Sequence, residues 1–218
     1  MLKLLLAKEM KLTASALSYL FIALALLAFC PGYPILLGAF FVCLGIFQTF
    51  RSAREANDIV YSALLPVPKS SVVRGKFAFC VLIELCGFAV SAIATVVRMT
   101  ALADAPAYRA NALMNANPAF LGFMLLIFAL FNAIFVRGFF KTAREFTKPF
   151  IGFIVATLVT IFVAEALHHV PGLEAVNAFG FEHIGLQLLL WAAGAALYAA
   201  LTCLACRRAC ENFEKIDL

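Results

Sequence analysis

The sequence predicts an all-α integral membrane protein with six transmembrane helices, both termini in the cytoplasm and short cytoplasmic helices between spans. Three observations favour this fold class. The 218-residue chain is 65% hydrophobic and 13% charged, whereas soluble domains carry about 25% charged residues. Uncharged segments long enough to cross a bilayer alternate with short polar ones, and most basic residues lie in every second polar segment. We therefore expect a single membrane domain over residues 1–218.

The first two predicted spans share one uncharged stretch. Residues 12–50 carry no charge, and this stretch is about twice the roughly 20 residues that cross the hydrocarbon core. Residues 30–34 read Cys-Pro-Gly-Tyr-Pro, which is a strong turn signal. The sequence therefore predicts one helix over about 13–30 and a second over about 34–50.

Four further apolar segments complete the predicted bundle. The third contains Glu84, but its eleven Phe, Val, Leu and Ile residues contribute roughly −3 to −7 kcal/mol of insertion energy, against about +3 for one charge. Pro149 lies near the first turn of the fifth segment, where proline is tolerated. These predicted spans cover about 77–97, 118–136, 149–167 and 184–205.

The basic residues predict the orientation of the bundle. Of 17 Lys and Arg residues, fifteen lie in the two terminal segments or in segments 51–76 and 137–148. Only Arg98 and Arg109 lie on the opposite side. Because cytoplasmic loops are enriched in Lys and Arg, we expect both termini and these two loops to face the cytoplasm. The topology also accounts for the net charge of +5, so the expected partner is a lipid bilayer and no nucleic acid.

The segment 51–76 is the most informative polar segment. Its first half mixes charged and apolar residues in a helix-forming stretch, and residues 65–68 (Leu-Pro-Val-Pro) then interrupt it. Ser70 and Ser71 follow, and serine is a preferred residue at helix N-termini. We expect a short cytoplasmic helix, a kinked corner and a helix that leads back into the membrane.

The corner contains a pattern made of Glu55, Asp58, Leu65, Pro66, Val67, Lys69, Val72, Val73, Gly75, Lys76 and Phe77. This pattern resembles that of the ABC-2 type transporter permeases, a family of six-helix membrane subunits. Residues 4–11 are also similar to the amphipathic helix that precedes the first span in that family, and Pro68-Lys69 stands where the family usually has Ser-Arg.

The resemblance implies a permease subunit in a bacterial cytoplasmic (inner) membrane, more often an exporter than an importer. Such a subunit pairs with a second copy or a homologous permease chain, and the first cytoplasmic loop docks on a separate ABC ATPase subunit. This chain has no GxxxxGK[ST] phosphate loop. We therefore expect no enzymatic activity and no cofactor bound by this chain, with ATP and Mg²⁺ on the partner ATPase.

A short internal repeat suggests a second contact with the ATPase. Residues 50–55 (Phe-Arg-Ser-Ala-Arg-Glu) recur as residues 140–145 (Phe-Lys-Thr-Ala-Arg-Glu), each just past the inner end of an even-numbered predicted span. An alternative explanation is that inner membrane boundaries generally favour basic and aromatic residues. The residues predicted to couple to the ATPase are Arg54, Glu55, Asp58, Leu65, Pro66, Val67, Lys69, Arg144 and Glu145.

Glu84 lies about two turns inside the third predicted span. An ionisable residue inside a membrane is a candidate functional residue because its burial is unfavourable. Glu84 and Asn132 could line a translocation path, or Glu84 could be a packing residue that accepts a hydrogen bond from Asn132.

Two other function classes remain open. Glu165, His168 and His169 near the outer end of the fifth span could bind a metal in an intramembrane metal-dependent enzyme, although the order is not HExxH. A non-catalytic membrane scaffold or assembly protein is the third possibility. We expect no metal site, since short outer loops commonly carry solvated histidines.

Overall fold

In a computed structural model, which describes residues 1–109, 115–142 and 145–216, the protein is built from helices. No strand occurs in these ranges, which confirms the helical fold class. The α-helices are α1 (Leu2–Lys8), α2 (Ala16–Leu20), α3 (Leu37–Glu55), α4 (Asp58–Ala63), α5 (Lys69–Thr100), α6 (Pro106–Arg109), α7 (Pro118–Leu130), α8 (Arg137–Thr142), α9 (Thr147–His169) and α10 (Ile184–Glu214).

Several of these helices continue in other helical geometries. A π-helical turn, Glu9–Thr13, extends α1, and a 3₁₀ stretch, Phe21–Phe29, extends α2. The axis bends by 102° between Leu2–Thr13 and Ala16–Phe29. The Ser15 side chain accepts a hydrogen bond from the backbone N–H of Leu17 at this bend, as an N-cap does. The first helical segment therefore runs roughly across the direction of the segment that follows.

The corner predicted between the second and third spans has the expected parts. Helix α4 follows α3 after Asn57, whose left-handed backbone (φ 53°) turns the chain sharply. Helix α5 then begins at Lys69, with Pro68 as its N-cap residue. The prediction that Ser70 and Ser71 cap this helix was wrong, because both lie inside its first turn and no side-chain cap bond forms at its start.

The described residues contain four helices that are long and apolar enough to cross a membrane, or five if the bent pair counts as one span. The four are α5, the continuous helix Pro118–Thr142 formed by α7 and α8, Thr147–Leu167 within α9, and α10. Helix α3 is not among them, because only residues 37–50 precede the charged end that begins at Arg51. The structure therefore supports a multi-pass membrane protein, whereas six spans remain a prediction.

Phenylalanines form much of the core on the inner half of the bundle. The rings of Phe47 and Phe150 stack with centroids 3.8 Å apart, which joins α3 to α9. Phe50 and Phe135 meet edge to face at 5.2 Å, which joins α3 to the π-helical turn Phe131–Val136 between α7 and α8. Such aromatic pairs add specific geometry to the burial of apolar area. They hold the end of α3, and with it the corner, against the rest of the bundle.

Candidate functional site

One face of helix α4 packs against the rest of the protein, and the opposite face is exposed. Ile59 and Ser62 are buried on its inner face. Its outer face carries large apolar side chains, of which Tyr61 is 67% and Leu64 is 78% exposed. Exposed apolar side chains clustered on a short polar segment indicate a contact surface. We call Val60, Tyr61, Leu64 and Leu65 the corner patch.

Beneath the corner patch lies a network of two ammonium groups and two carboxylates. The fully buried Lys76 donates to Glu9 Oε2 at 2.6 Å and to Asp58 Oδ2 at 3.0 Å. Lys8 donates to Glu9 Oε1 at 3.0 Å and also to Asp58 Oδ1 and Ser62 Oγ. We call Lys8, Glu9, Asp58 and Lys76 the charge cluster. Its formal charges sum to zero, so burial leaves no net charge without a partner.

Asp58 is ionised in this environment. Partial burial by itself would raise the pKa of its carboxyl group, but the ammonium groups of Lys76 and Lys8 outweigh that effect and lower it below the ordinary value. The carboxylate is therefore held from both sides. Because Asp58 begins α4, Glu9 and Lys8 lie at the end of α1, and Lys76 lies in α5, the charge cluster joins three segments that are distant in sequence.

The predicted coupling residues lie around this cluster in different environments. Arg54 packs over the ring of Phe146, 4.7 Å from its centroid, so the end of α3 contacts the segment just before α9. Glu55 pairs with Arg51 at 3.1 Å and Glu145 pairs with Lys148 at 3.2 Å, both on the surface. Arg144 lies outside the described residues. Its predicted role, like that of the others, stays a prediction.

Residues 65–69, which form the kinked corner, differ in their exposure to solvent. Leu65 and Pro66 are exposed, and Val67 is partly buried. Lys69 does not point to the surroundings, because its ammonium group donates to the carbonyl of Ile216 at 2.7 Å. That bond fastens the start of α5 to the segment that follows α10. Of this stretch, Leu65, Pro66 and Pro68 are exposed and therefore accessible to a partner.

A second polar network lies deep in the bundle. Glu84 Oε2 accepts hydrogen bonds from Asn132 Nδ2 at 2.9 Å and from the Tyr198 hydroxyl at 2.7 Å. Asn132 Nδ2 also donates to Thr202 Oγ1 at 3.2 Å. The hydrogen bond predicted between Glu84 and Asn132 is therefore present. It joins α5, the π-helical turn and α10, and we call these four residues the membrane polar cluster. Whether Glu84 and Asn132 line a path remains a prediction.

The residues of the alternative metal hypothesis are only loosely associated. His169 Nε2 lies 3.4 Å from Glu165 Oε1, one turn away on α9. The side chain of His168 lies outside the described part of the structure. Among the residues that the structure describes, no group of three or more His, Cys, Asp or Glu side chains is arranged to hold a metal ion.

Sequence reasoning missed the charge cluster. It assigned Asp58 to the contact with the ATPase, treated Lys76 only as part of a family pattern, and treated Lys8 and Glu9 only as parts of an amphipathic helix. The available signal was that charged residues of both signs, Glu9 and Lys76 among them, lie close to the ends of long apolar runs. A charge in such a position needs a partner. The pairing itself was not visible, because Glu9 and Lys76 are separated by 67 positions.

The long apolar helices define a multi-pass membrane protein. The corner patch, which lies over the charge cluster, gives this protein a surface for a partner. A family model described as ABC-2 family transporter protein matches residues 4–207. The chain belongs to this family, as its corner motif predicted. It is thus a membrane permease of the ABC transporter class, and its family implies an ABC ATPase partner. Neither the comparison with curated proteins nor that with solved structures finds a match.

Proposed function

We propose that this chain is the membrane-spanning subunit of a bacterial ABC exporter, driven by a separate ATPase subunit that binds ATP and Mg²⁺. It would sit in the cytoplasmic (inner) membrane with both termini inside, and pair with a second copy or a homologous permease chain. The family match over residues 4–207 supports the transporter class. The distribution of basic residues supports the orientation.

The proposal includes six spans. The segment Ala16–Phe29, which follows the bend, would be the first span, and α3 would be the second. Residues 37–50 extend about 21 Å as a helix, and the apolar turn before them adds length on the outer side. Arg51 and Arg54 would then lie at the inner interface, where long basic side chains reach water. A short span of this kind is accommodated by local bilayer thinning.

The corner patch carries the proposal. Many other exposed apolar side chains lie on the four long helices, where lipid would cover them. The corner patch lies beyond that region, between Arg51 and Arg54 on one side and Lys69 on the other, in a loop expected to face the cytoplasm. Tyr61 and Leu64 would therefore be exposed to water unless a partner covers them. A groove on an ABC ATPase subunit is the partner that the family implies.

The charge cluster explains how motion of the ATPase would reach the bilayer. Asp58 fixes α4 to Lys76 of α5 and to Lys8 at the end of α1. Helix α5 is 32 residues long, so it extends about 48 Å. A displacement of α4 would move α5 and the first helix as one body instead of bending the loop. Rigid-body rearrangement of this kind is a common way to alternate access.

Replacing Tyr61 and Leu64 with serine tests the proposal. We expect at least a tenfold loss of affinity for the ATPase subunit, because a buried aromatic anchor commonly contributes about 2 kcal/mol or more. Co-purification of the ATPase with the tagged variant, and ATP hydrolysis by the reconstituted complex, would measure it. The control is Leu173→Ser, since Leu173 is also exposed but lies on the outer side of the bundle.

Unchanged ATPase recovery with Tyr61→Ser/Leu64→Ser would contradict docking at the corner patch. Recovery should fall while the variant keeps the thermal midpoint of the wild-type chain, because both side chains point away from the core. Transport by the purified chain in liposomes without any ATPase would contradict the transporter assignment itself.

A further inference from the structure

The hydrogen-bonding capacity of Asn132 and Glu84 is used unevenly. Asn132 Nδ2 carries two hydrogens, and its two acceptors are Glu84 Oε2 and Thr202 Oγ1. Glu84 Oε2 in turn accepts from Asn132 and from Tyr198. Both hydrogens of Asn132 Nδ2 are therefore used, and Glu84 Oε2 accepts two hydrogen bonds. These two atoms need no further partner.

Two other oxygens of the same two side chains lack partners. Glu84 Oε1 and Asn132 Oδ1 are both inaccessible to solvent, and neither has a hydrogen-bond partner among the described residues. Both residues are fully buried. Two bare oxygens, one of them on a carboxylate, are strongly unfavourable in such a place because no described donor compensates for the lost hydration. The two atoms belong to groups that are already bonded to each other.

One hydrogen would satisfy both atoms. When an amide and a carboxyl group share one N–H···O bond and lie in a common plane, their two remaining oxygens face each other. A hydrogen on the carboxyl oxygen then donates to the amide oxygen, which closes a ring with two hydrogen bonds. We propose that Glu84 is a proton-binding site within the membrane, in which Oε1 carries the proton and donates it to Asn132 Oδ1.

The surroundings of Glu84 favour the neutral acid over the carboxylate. The nearby ionisable groups are the Tyr198 hydroxyl on α10, the Cys80 thiol one turn earlier on α5, and the Cys43 thiol on α3, and none of them supplies a positive charge. Lys76 lies two turns earlier on α5, and the charge cluster occupies its ammonium group. The proton comes from bulk water when the bundle assembles.

The ring couples helix separation to proton release. It joins α5 to the π-helical turn, and the Tyr198 bond joins the same carboxyl group to α10. Any motion that separates α5 from these two elements removes the acceptor for the acidic hydrogen and admits water. The acid then ionises and one proton passes to the water. This inference concerns the isolated chain and does not depend on docking of an ATPase.

Infrared difference spectra between the wild type and Glu84→Gln test the site directly. A protonated carboxyl group has a C=O stretching band that ionised carboxylates lack, and the band shifts in D₂O. The other carboxyl groups that the structure describes are paired or exposed to water, so at neutral pH this band is expected from the wild type and not from Glu84→Gln. The exposed Glu214 on α10 supplies the control, since Glu214→Gln should retain the band.

The pH dependence of unfolding supplies a second readout. Glutamine can donate to Asn132 Oδ1 and accept from Asn132 and Tyr198, so the variant should match the wild type in acid. In the unfolded chain a Glu carboxyl is ionised at neutral pH, and the unfolded state then binds fewer protons than the folded one. Wild-type stability should therefore fall as pH rises, by up to tenfold in the unfolding equilibrium per pH unit, and that of Glu84→Gln should not.

Two outcomes would overturn the assignment. If the band is missing from the wild type and Glu84→Gln unfolds more readily at all pH values, Glu84 is an ionised structural residue. If the wild-type unfolding midpoint rises when sodium replaces choline at constant ionic strength, and Glu84→Gln does not respond, the two oxygens bind a cation and not a proton.

Discussion

Replacing Lys76 with methionine is expected to destabilise the protein by about 3–5 kcal/mol, because it leaves buried carboxylates with one ammonium group fewer. Lys76 is fully buried and Glu9 nearly so. Of the two lysines in the charge cluster, Lys76 has a side chain that is fully shielded from solvent, whereas the side chain of Lys8 remains partly exposed. Methionine keeps the length and most of the volume of the side chain. The free energy of unfolding in detergent micelles measures the change.

A surface pair on the same side of the bundle supplies the control. Lys148 pairs with Glu145 at 3.2 Å, but its side chain is 82% exposed. Exposed ion pairs contribute about 0–1 kcal/mol, so Lys148→Met should change stability little. If Lys76→Met proves as stable as Lys148→Met, the charge cluster does not hold the corner together.

The double variant Lys76→Met/Glu9→Gln distinguishes two causes of destabilisation. One is the loss of the favourable Lys76–Glu9 ion pair, and the other is the burial of the Glu9 carboxylate without that partner. It removes one positive and one negative charge, so Lys8 and Asp58 remain as a balanced pair. We expect it to be more stable than Lys76→Met alone, because a neutral replacement of a buried pair is often nearly neutral in free energy. Additive losses would indicate that the two residues act independently.

Local sequence signals predicted local structure well. The uncharged intervals gave the long helices, and Leu65-Pro66-Val67-Pro68 predicted the break between α4 and α5. Glu84 and Asn132 could be paired in advance, because an ionisable group within a span has few candidate partners. The span predicted over about 77–97 is part of a longer helix, because α5 begins at Lys69, directly after the predicted break, and a membrane-spanning helix can extend into water without any change in its backbone.

Long-range pairing was not predictable from a single sequence. Asp58 is an example: its contact with the ATPase stays a prediction, whereas the sequence did not indicate that its carboxylate pairs with Lys8 and Lys76. The family pattern and the internal repeat placed Asp58 with Arg54 and Glu55 among the coupling residues. The left-handed backbone of Asn57 interrupts the helix between α3 and α4, and the Asp58 carboxylate lies against the charge cluster. No charge pattern in the loop indicates this turn.

Replacing Gly194 with valine is expected to have the second large effect, by forcing α7 and α10 apart. A Cβ atom at Gly194 would lie 2.4 Å from the carbonyl oxygen of Gly122 and 2.7 Å from its Cα atom. A Cβ atom at Gly122 would lie 2.6 Å from the carbonyl oxygen of Leu190. These are backbone atoms, which cannot rotate away. Small residues allow helices to approach closely in a membrane, where apolar burial alone does not hold helices together.

We expect Gly194→Val to lower stability by about 1–3 kcal/mol or more, as overpacking does, and to weaken the Glu84–Tyr198 bond, because Tyr198 lies one turn beyond Gly194 on α10. Unfolding in detergent and the infrared band of the Glu84 carboxyl group measure the two effects. Gly185 on α10 is the control, since apart from its chain neighbours and the backbone of its own helix no described atom lies within 4 Å of the position that its Cβ would take. Gly185→Ala should leave stability unchanged or raise it slightly, because alanine favours a helix over glycine by about 1 kcal/mol. If Gly194→Val behaves like Gly185→Ala, the close approach of α7 and α10 does not exist in the membrane.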